Sequence, residues 1–197
     1  MSKIYGLTGG IAAGKSTVLE LFREHDFQVF DADSVAREVV VPGSIGLQQI
    51  VTQFGKSMLQ ADGSLDRHKL GAVVFSDPAQ LQKLNSITRP LIKSKILKTV
   101  TEVKQSSSTI ISIFEIQLLF EGNYQDYFDG VISLYVNPQT QLQRLMKRNG
   151  LTKKVALERI NAQMSMDEKK SRADFVIDNS EDLTHLANEF DKLVTQL

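Results

Sequence analysis

Gly9-Gly10-Ile11-Ala12-Ala13-Gly14-Lys15-Ser16-Thr17 is the stretch that decides the fold of this 197-residue chain. It matches the Walker A pattern G-x-x-x-x-G-K-[ST] in full. Glycines let the backbone curl so that its N–H groups converge on phosphate oxygens, and the helix that follows aims its dipole at the same anion. Lys15 is expected to reach the β- and γ-phosphates of ATP, and Ser16 to ligate Mg²⁺. The residues predicted to bind this nucleotide are Gly9, Ala12, Ala13, Gly14, Lys15, Ser16 and Thr17.

The residues around the loop have the pattern of a βαβ unit. Residues 3–8 and 27–30 are short apolar runs, and residues 15–24 carry one apolar helix face. Such units give right-handed crossovers and parallel sheets, which disfavours the alternative of a glycine-rich turn without a ligand. Further strand-like runs occur at 109–114, 130–136 and 175–177. The sequence therefore predicts an α/β fold with a central parallel five-stranded sheet flanked by helices.

Two helical regions interrupt this pattern. The region between residues 34 and 105 has the pattern of several helices, with Pro78 and Pro90 each in a first turn. It is too long for a plain crossover. A later helical hairpin is predicted at residues 138–163, broken at Gly150. The predicted division is a nucleotide-binding core of residues 1–33, 106–138 and 173–197, a helical subdomain of residues 34–105 and a lid of residues 139–172.

Two carboxylates follow the second predicted strand. Asp31 and Asp33 are two residues apart, so on a continued strand both side chains would point into the same cleft. The carboxyl ends of parallel strands are where such sheets bind ligands. Asp33 is the candidate base for an acceptor hydroxyl, and Asp31 a candidate metal ligand. The alternative for Asp33 is a simple helix N-cap.

Two arginines lie one turn apart on the first helix of the hairpin. Arg144 and Arg148 share a face, and guanidinium groups stabilise a transferring phosphoryl group. We take Arg144 as a catalytic candidate and Arg148 as a nucleotide contact, as expected of a closing lid. A solvated basic face is the alternative.

The composition bounds the other possibilities. Lys and Arg total 23, as do Asp and Glu, so the zero formal net charge predicts neither a nucleic-acid nor a membrane partner, and no obligate protein partner is predicted. The chain has no Cys, which excludes disulfides and Cys-ligated zinc and favours a cytoplasmic protein. No apolar run approaches the roughly 20 residues that span a bilayer.

A series of motifs resembles the dephospho-CoA kinase family over nearly the whole chain. In order they are Gly6-Leu7-Thr8-Gly9-Gly10-Ile11, Asp31-Ala32-Asp33, Leu65-Asp66-Arg67, Leu84-Asn85-Ser86-Ile87, Leu118-Leu119-Phe120-Glu121, Gln143 with Arg144 and Arg148, Gln163, and Asp178-Asn179. The resemblance implies ATP-dependent phosphorylation of the ribose 3′-hydroxyl of dephospho-CoA, the last step of coenzyme A biosynthesis.

The resemblance also assigns roles to residues. It implies that Asp33 is the base, that Arg144 is the lid arginine at the phosphates, and that Asn179 lies near the adenine of ATP. The helical insertion becomes the dephospho-CoA subdomain, with Arg67 and Arg89 as substrate-binding candidates.

Two positions depart from the family pattern. Arg89 stands where the family usually has His; an arginine can contact an anionic substrate but cannot be a neutral hydrogen-bond acceptor. Gln117 stands where the family usually has Pro, so a different backbone geometry is expected there.

The loop alone is compatible with other functions. A nucleoside monophosphate kinase, or a polyol kinase acting on a substrate such as shikimate, would share it, but the helical insertion and Leu65-Asp66-Arg67 disfavour both. A GTP-binding switch would need an Asn-Lys-x-Asp segment, which the sequence lacks. A non-catalytic nucleotide sensor would need neither the two carboxylates nor the lid arginines.

Overall fold

The computed structural model describes residues 3–106 and 109–197, and its centre is a five-stranded sheet. The strands are β1 (Ile4–Gly9), β2 (Gln28–Asp31), β3 (Ser112–Glu115), β4 (Gly130–Tyr135) and β5 (Phe175–Asp178). Their order is β2-β3-β1-β4-β5, and every neighbouring pair is parallel. The predicted α/β fold with a parallel five-stranded sheet is confirmed.

Helices connect the strands. Within the described residues they are α1 (Lys15–Glu24), α2 (Ala32–Glu38), α3 (Ile45–Phe54), α4 (Arg67–Ser76), α5 (Pro78–Gln105), α6 (Pro138–Asn149), α7 (Lys153–Asn161), α8 (Met166–Arg172) and α9 (Leu183–Val194). Six begin at a polar side chain that accepts a hydrogen bond from the backbone N–H three residues on, as N-caps do. These caps are Ser44, Asp66, Asn137, Thr152, Ser165 and Asp182. Across the described ranges, no helix combines the length and apolar character that crossing a bilayer requires.

Helix α5 is longer than predicted, because it continues through Pro90. The prediction that Pro90 begins a new helix is wrong. Proline inside a helix removes one hydrogen bond and costs about 3 kcal/mol. Apolar residues are packed on both sides of it: Leu84 and Ile87 lie against an apolar core, and Ile96 and Val100 are buried. This packing offsets the local cost and keeps the helix continuous.

The described chain divides into two compact units. The first, here called the sheet unit, runs up to Asp31 and resumes at Val103; the second, the helical unit, runs from Ala32 to Glu102. Each has its own apolar core. The core of the sheet unit includes Leu7, Val18, Phe22, Ile113, Ile132, Leu134, Ile177 and Phe190. The core of the helical unit is Val40, Leu47, Ile50, Met58, Leu65, Leu70 and Val74. The finer division into core, subdomain and lid stays a prediction.

The sheet register places three chain segments at the carboxyl end of the sheet. Glu115 at the end of β3 is the register partner of Leu7 in β1 and of Asp31 at the end of β2. The glycine-rich loop follows β1 directly and leads into α1. The loop and the two strand-end carboxylates therefore lie at the carboxyl end of the sheet, where open parallel sheets bind ligands.

Candidate active site

The phosphate-binding loop has the backbone conformation that its glycines predict. Gly14 is left-handed with φ 94°, and Ala12 also has a positive φ of 61°. The Ala13 N–H donates to the Gly10 carbonyl at 3.2 Å and closes a tight turn. Gly14 N-caps α1 without a capping side chain, so α1 begins with its N–H groups at the loop. This conformation is an anion-binding concavity at a helix N-terminus.

Side chains from the second half of the chain form hydrogen bonds with Gly10 and Ile11 of this loop. The Ile11 N–H donates to Gln163 Oε1 and its carbonyl accepts from Gln141 Nε2, both at 2.9 Å. The Gly10 N–H donates to Met166 Sδ at 3.2 Å. Gln141 and Met166 are 4% exposed. The peptide groups on both sides of Ile11 are thus fixed in orientation.

Asn179 forms a hydrogen bond with the loop at Ala13. Its side chain is buried, and Nδ2 donates to the Ala13 carbonyl at 2.8 Å. A Cβ at position 14 would collide with the same amide, so glycine is required there for space as well as for φ. Arg144 donates from Nη1 to the Asn179 carbonyl at 2.8 Å and from Nη2 to the Glu181 carbonyl at 3.2 Å. Arg144 therefore bonds Asn179, which in turn bonds the loop. The expected contact of Asn179 with adenine stays a prediction.

Lys15 lies over the loop with its ammonium group close to oxygens of three residues. Nζ is 3.2 Å from the Gly9 carbonyl, 3.4 Å from Gln117 Oε1 and 3.7 Å from Glu115 Oε1. The side chains of Lys15 and Glu115 are 14% and 6% exposed. These contacts are long, so the ammonium group is held near the loop by modest interactions that a phosphate can replace.

The carboxylates at the ends of β2 and β3 provide hard oxygen donors beside the loop. Asp31 and Glu115 are register partners, and Glu115 is within 3.7 Å of Lys15, the neighbour of Ser16. Mg²⁺ in nucleotide sites takes one or two protein oxygens, with phosphate oxygens and water completing its octahedron. No group of three or more metal-ligating side chains occurs within residues 3–106 and 109–197. The sparse oxygen set of Ser16, Asp31 and Glu115 fits a phosphate-bound Mg²⁺ and not a metal held by protein alone.

Asp33 does not lie on a strand. Strand β2 ends at Asp31 and α2 begins at Ala32, so Asp33 stands exposed in the first turn of a helix. The expectation that Asp31 and Asp33 share one strand face is wrong, because the period of two gives way there to 3.6 residues per turn. Asp31 belongs to the sheet unit and Asp33 to the helical unit.

The helical unit contains a cavity of about 410 Å³. Three basic side chains and one acidic side chain line it, together with apolar residues; among them are Arg37, Arg67, His68, Asp66, Val41 and Leu65. Such a mixed lining suits an anionic ligand with an apolar portion. Arg67 is among the substrate candidates predicted from the sequence, whereas Arg89 lies exposed on α5 and not in this lining.

Sequence reasoning gave no role to several residues of the loop's surroundings. Gln163 stood only in the motif series. Gln141 and Met166 carried no signal, because a glutamine or methionine on a helix is ordinary until the fold brings it to the loop. Arg148, the predicted nucleotide contact, lies exposed on α6 and donates to Asn149 Oδ1 at 2.9 Å.

Known proteins resemble the chain closely. A family model described as dephospho-CoA kinase matches residues 3–185. A dephospho-CoA kinase of Listeria monocytogenes serovar 1/2a is 45% identical over 183 residues, covering 93% of this chain and 91% of the relative. One from Arabidopsis thaliana is 42% identical over 195 residues, covering 99% of this chain and 84% of the relative.

Solved structures give the same result at the level of the fold. The dephospho-CoA kinase of Campylobacter jejuni superposes with a TM-score of 0.76 at 28% identity, covering 100% of this chain and 97% of that one. A shikimate kinase of Bacteroides thetaiotaomicron reaches a TM-score of 0.53 at 16% identity, with 99% of each chain covered. The second likeness shows a shared P-loop kinase fold.

Proposed function

The chain belongs to the dephospho-CoA kinase family, and on that premise we propose that it transfers the γ-phosphoryl group of ATP to the ribose 3′-hydroxyl of dephospho-CoA. The substrates are ATP and dephospho-CoA, the products ADP and CoA, and the reaction is the last step of coenzyme A biosynthesis. The observation that carries the donor half of the proposal is the pre-formed P-loop, whose Ile11 peptide groups are hydrogen bonded on both sides. The acceptor is inferred from the family, whose model matches residues 3–185. A loop fixed in this way can receive phosphate without reorganising.

On the donor side, the backbone N–H groups of Gly9 and of residues 12–17 are proposed to bind the phosphates. Lys15 would leave its contacts of 3.2 to 3.7 Å and move to the β- and γ-phosphates. Two of the five guanidinium N–H donors of Arg144 are accounted for by backbone carbonyls, and we propose that others reach the phosphoryl group during transfer. Arg148 is proposed as a further phosphate contact and Asn179 as the residue nearest the adenine.

Ser16 and Asp31 are proposed as the residues that hold Mg²⁺. When bound, Mg²⁺ neutralises charge on the phosphates. Glu115 is the register partner of Asp31, so a second carboxylate stands beside the proposed ligand. These residues would fix the position of the ion and thereby the orientation of the γ-phosphate.

On the acceptor side, Asp33 is proposed as the general base. Its carboxylate would accept the proton of the 3′-hydroxyl as the new O–P bond forms and the bond to ADP breaks. Exposure in the first turn of α2 leaves the carboxylate accessible to a substrate. Arg67 and Arg89 are proposed to bind the anionic groups of dephospho-CoA, with Arg67 acting together with Arg37 and His68 in the cavity.

An acceptor panel tests the proposal. Purified protein is given ATP and Mg²⁺ with dephospho-CoA, shikimate or AMP, and release of ADP is followed. We expect turnover only with dephospho-CoA, and the product should be CoA. The variant Lys15→Ala supplies the background rate. Turnover with shikimate or AMP but none with dephospho-CoA would exclude the proposed acceptor.

A further inference from the structure

An ion pair with one buried partner lies beside the segment that contacts the P-loop, and it has no role in the chemistry proposed above. Lys169 in α8 is fully buried, with a side chain 0% exposed, and its Nζ is 2.9 Å from Oε2 of Glu121, whose side chain is 25% exposed. Desolvation by burial lowers the pKa of Lys169, while the hydrogen bond and charge of Glu121 act in the opposite direction. A lysine is almost never fully buried unless its charge is paired, so the burial of Lys169 depends on Glu121.

The pair joins three separate segments of the sheet unit. Glu121 Oε1 accepts a hydrogen bond from the Met164 N–H at 3.1 Å. Lys169 Nζ also donates to the Gln117 carbonyl at 2.9 Å. The same carbonyl accepts from Thr8 Oγ1 at 3.0 Å, in the strand that leads into the P-loop. The two charged side chains therefore hold the chain just after β3 and the chain just before α8, and the end of β1 is bonded to the same Gln117 carbonyl.

The segment that Glu121 holds is the one that contacts the loop. Met164 lies between Gln163, which accepts from the Ile11 N–H, and Met166, which accepts from the Gly10 N–H. Fixing the Met164 backbone thus fixes the direction in which both side chains project. If this segment shifts, both hydrogen bonds to the loop are lost together.

We propose that Lys169 is a positioning residue for ATP binding. Together with Glu121 it fixes residues 163–166, and through Gln163 and Met166 it keeps the Gly10–Ile11 turn in its phosphate-binding conformation. The inference rests on the proposed function only in taking the P-loop as the ATP site.

A pair of variants separates positioning from stability. Lys169→Met removes one charge and leaves Glu121 unpaired, so the thermal midpoint should fall. Combining it with Glu121→Leu replaces the pair by apolar side chains, which is often neutral for stability, and should restore most of the midpoint. The double variant loses the acceptor of the Met164 N–H. The single variant keeps that acceptor but loses the ammonium group that fixes the Glu121 carboxylate. Both should therefore bind ATP about tenfold more weakly, as expected if the competent loop is populated about a tenth of the time.

A third variant tests the path through the loop. Gln163→Ala removes the acceptor of the Ile11 N–H at a partly exposed position, so it should weaken ATP binding by about the same factor with little change in midpoint. The matched control is Lys170→Met. It is the same substitution at the next residue, where the exposed Lys170 lies over the Tyr135 ring at 4.5 Å, and it should bind ATP as the wild type does.

The readout is the Kd for ATP in the presence of Mg²⁺, measured by calorimetry without any acceptor, together with the thermal midpoint. A chain that failed to phosphorylate dephospho-CoA would still give this result, so the two proposals can fail separately. Wild-type Kd in the double variant at restored midpoint would reduce Lys169 to a purely structural role. Wild-type Kd in Gln163→Ala would also overturn the proposal, even if the Lys169 variants failed to fold.

Discussion

The sheet unit and the helical unit present their proposed binding groups in opposite ways. In the sheet unit the P-loop offers backbone N–H groups, and buried side chains such as Gln141 and Asn179 hold that backbone in place. In the helical unit the proposed acceptor residues are charged side chains at exposed helix positions, among them Asp33 and Arg67. Donor recognition is thus prepared before the ligand arrives, whereas acceptor recognition needs long side chains to be ordered on binding, which costs entropy.

The contrast predicts where function is most sensitive. A pre-organised electrostatic group stabilises the transition state without reorganising, so its removal should lower kcat strongly. An exposed arginine competes with water, and its loss should change substrate binding more modestly.

The largest effect is expected for Lys15→Ala. It removes the charge at the phosphates while leaving the loop's glycines and supporting side chains in place. We expect kcat to fall about 10³-fold, the size of effect that follows the loss of one donor to the charge of the transition state. Steady-state ADP release with dephospho-CoA measures it, and Lys192→Ala on the exposed face of α9 is the control. A kcat close to that of the wild type would show that the P-loop is not the donor site.

Asp33→Asn should have the next largest effect. The amide cannot accept the hydroxyl proton, so kcat should fall about 10²-fold or more while the KM for ATP stays unchanged. The control is Asp191→Asn, the same substitution at an exposed position of α9. An unchanged kcat would remove Asp33 from the role of base and leave it as the acidic first-turn residue of α2.

The smallest effect concerns stability in acid. Burial raises the pKa of Glu121, but the hydrogen bonds and charge of Lys169 and backbone donors outweigh it, so the pKa lies below its ordinary value. The stability that this carboxylate provides is therefore present above about pH 4.3, the unfolded pKa, and is lost as the pH falls through the lower folded value. Glu121→Gln should lower the thermal midpoint at neutral pH and flatten its fall in acid.

The matched variant in the helical unit is Asp62→Asn. Hydrogen bonds from Ser64 lower the pKa of Asp62, but the group is fully exposed and screened by water. Its acid profile should follow that of the wild type, measured by circular dichroism between about pH 3 and pH 7. Equal flattening in both variants would mean that the Lys169–Glu121 pair contributes no more to stability than an exposed turn.

The sequence contained enough to predict the sheet and the loop. Residues 9–17 have both a strict motif and a strand and helix on either side, and these local signals agree with the fold. Helix α8 was missed because Met166–Arg172 is charged along most of its length and has no apolar period. A signal was present in Ser165 and Glu168, the S-x-x-E pattern of a capping box, and the Glu168 N–H does donate to Ser165 Oγ at 3.1 Å.

Other features depend on tertiary structure and could not be predicted. The charged sequence around Lys169 predicts a solvated side chain. Lys169 is buried because the fold brings Glu121 and the Gln117 carbonyl within hydrogen-bond distance of its ammonium group. Strand β2 ends at Asp31 and does not continue to Asp33, and α5 continues through Pro90 where a new helix was expected. Both differ from the prediction because packing, as well as propensity, decides where elements end and where a proline is tolerated.

The most direct test of the contrast between the units is one cross-measurement on two variants. Asn179→Ala leaves the Ala13 carbonyl without its buried donor, and Arg67→Ala removes a charge from the cavity of the helical unit. For each variant the KM for ATP and the KM for dephospho-CoA are measured in the same preparation. We predict that Asn179→Ala raises only the KM for ATP and Arg67→Ala only that for dephospho-CoA, each about tenfold. If either variant raised both constants equally, the division into a donor side and an acceptor side would be contradicted.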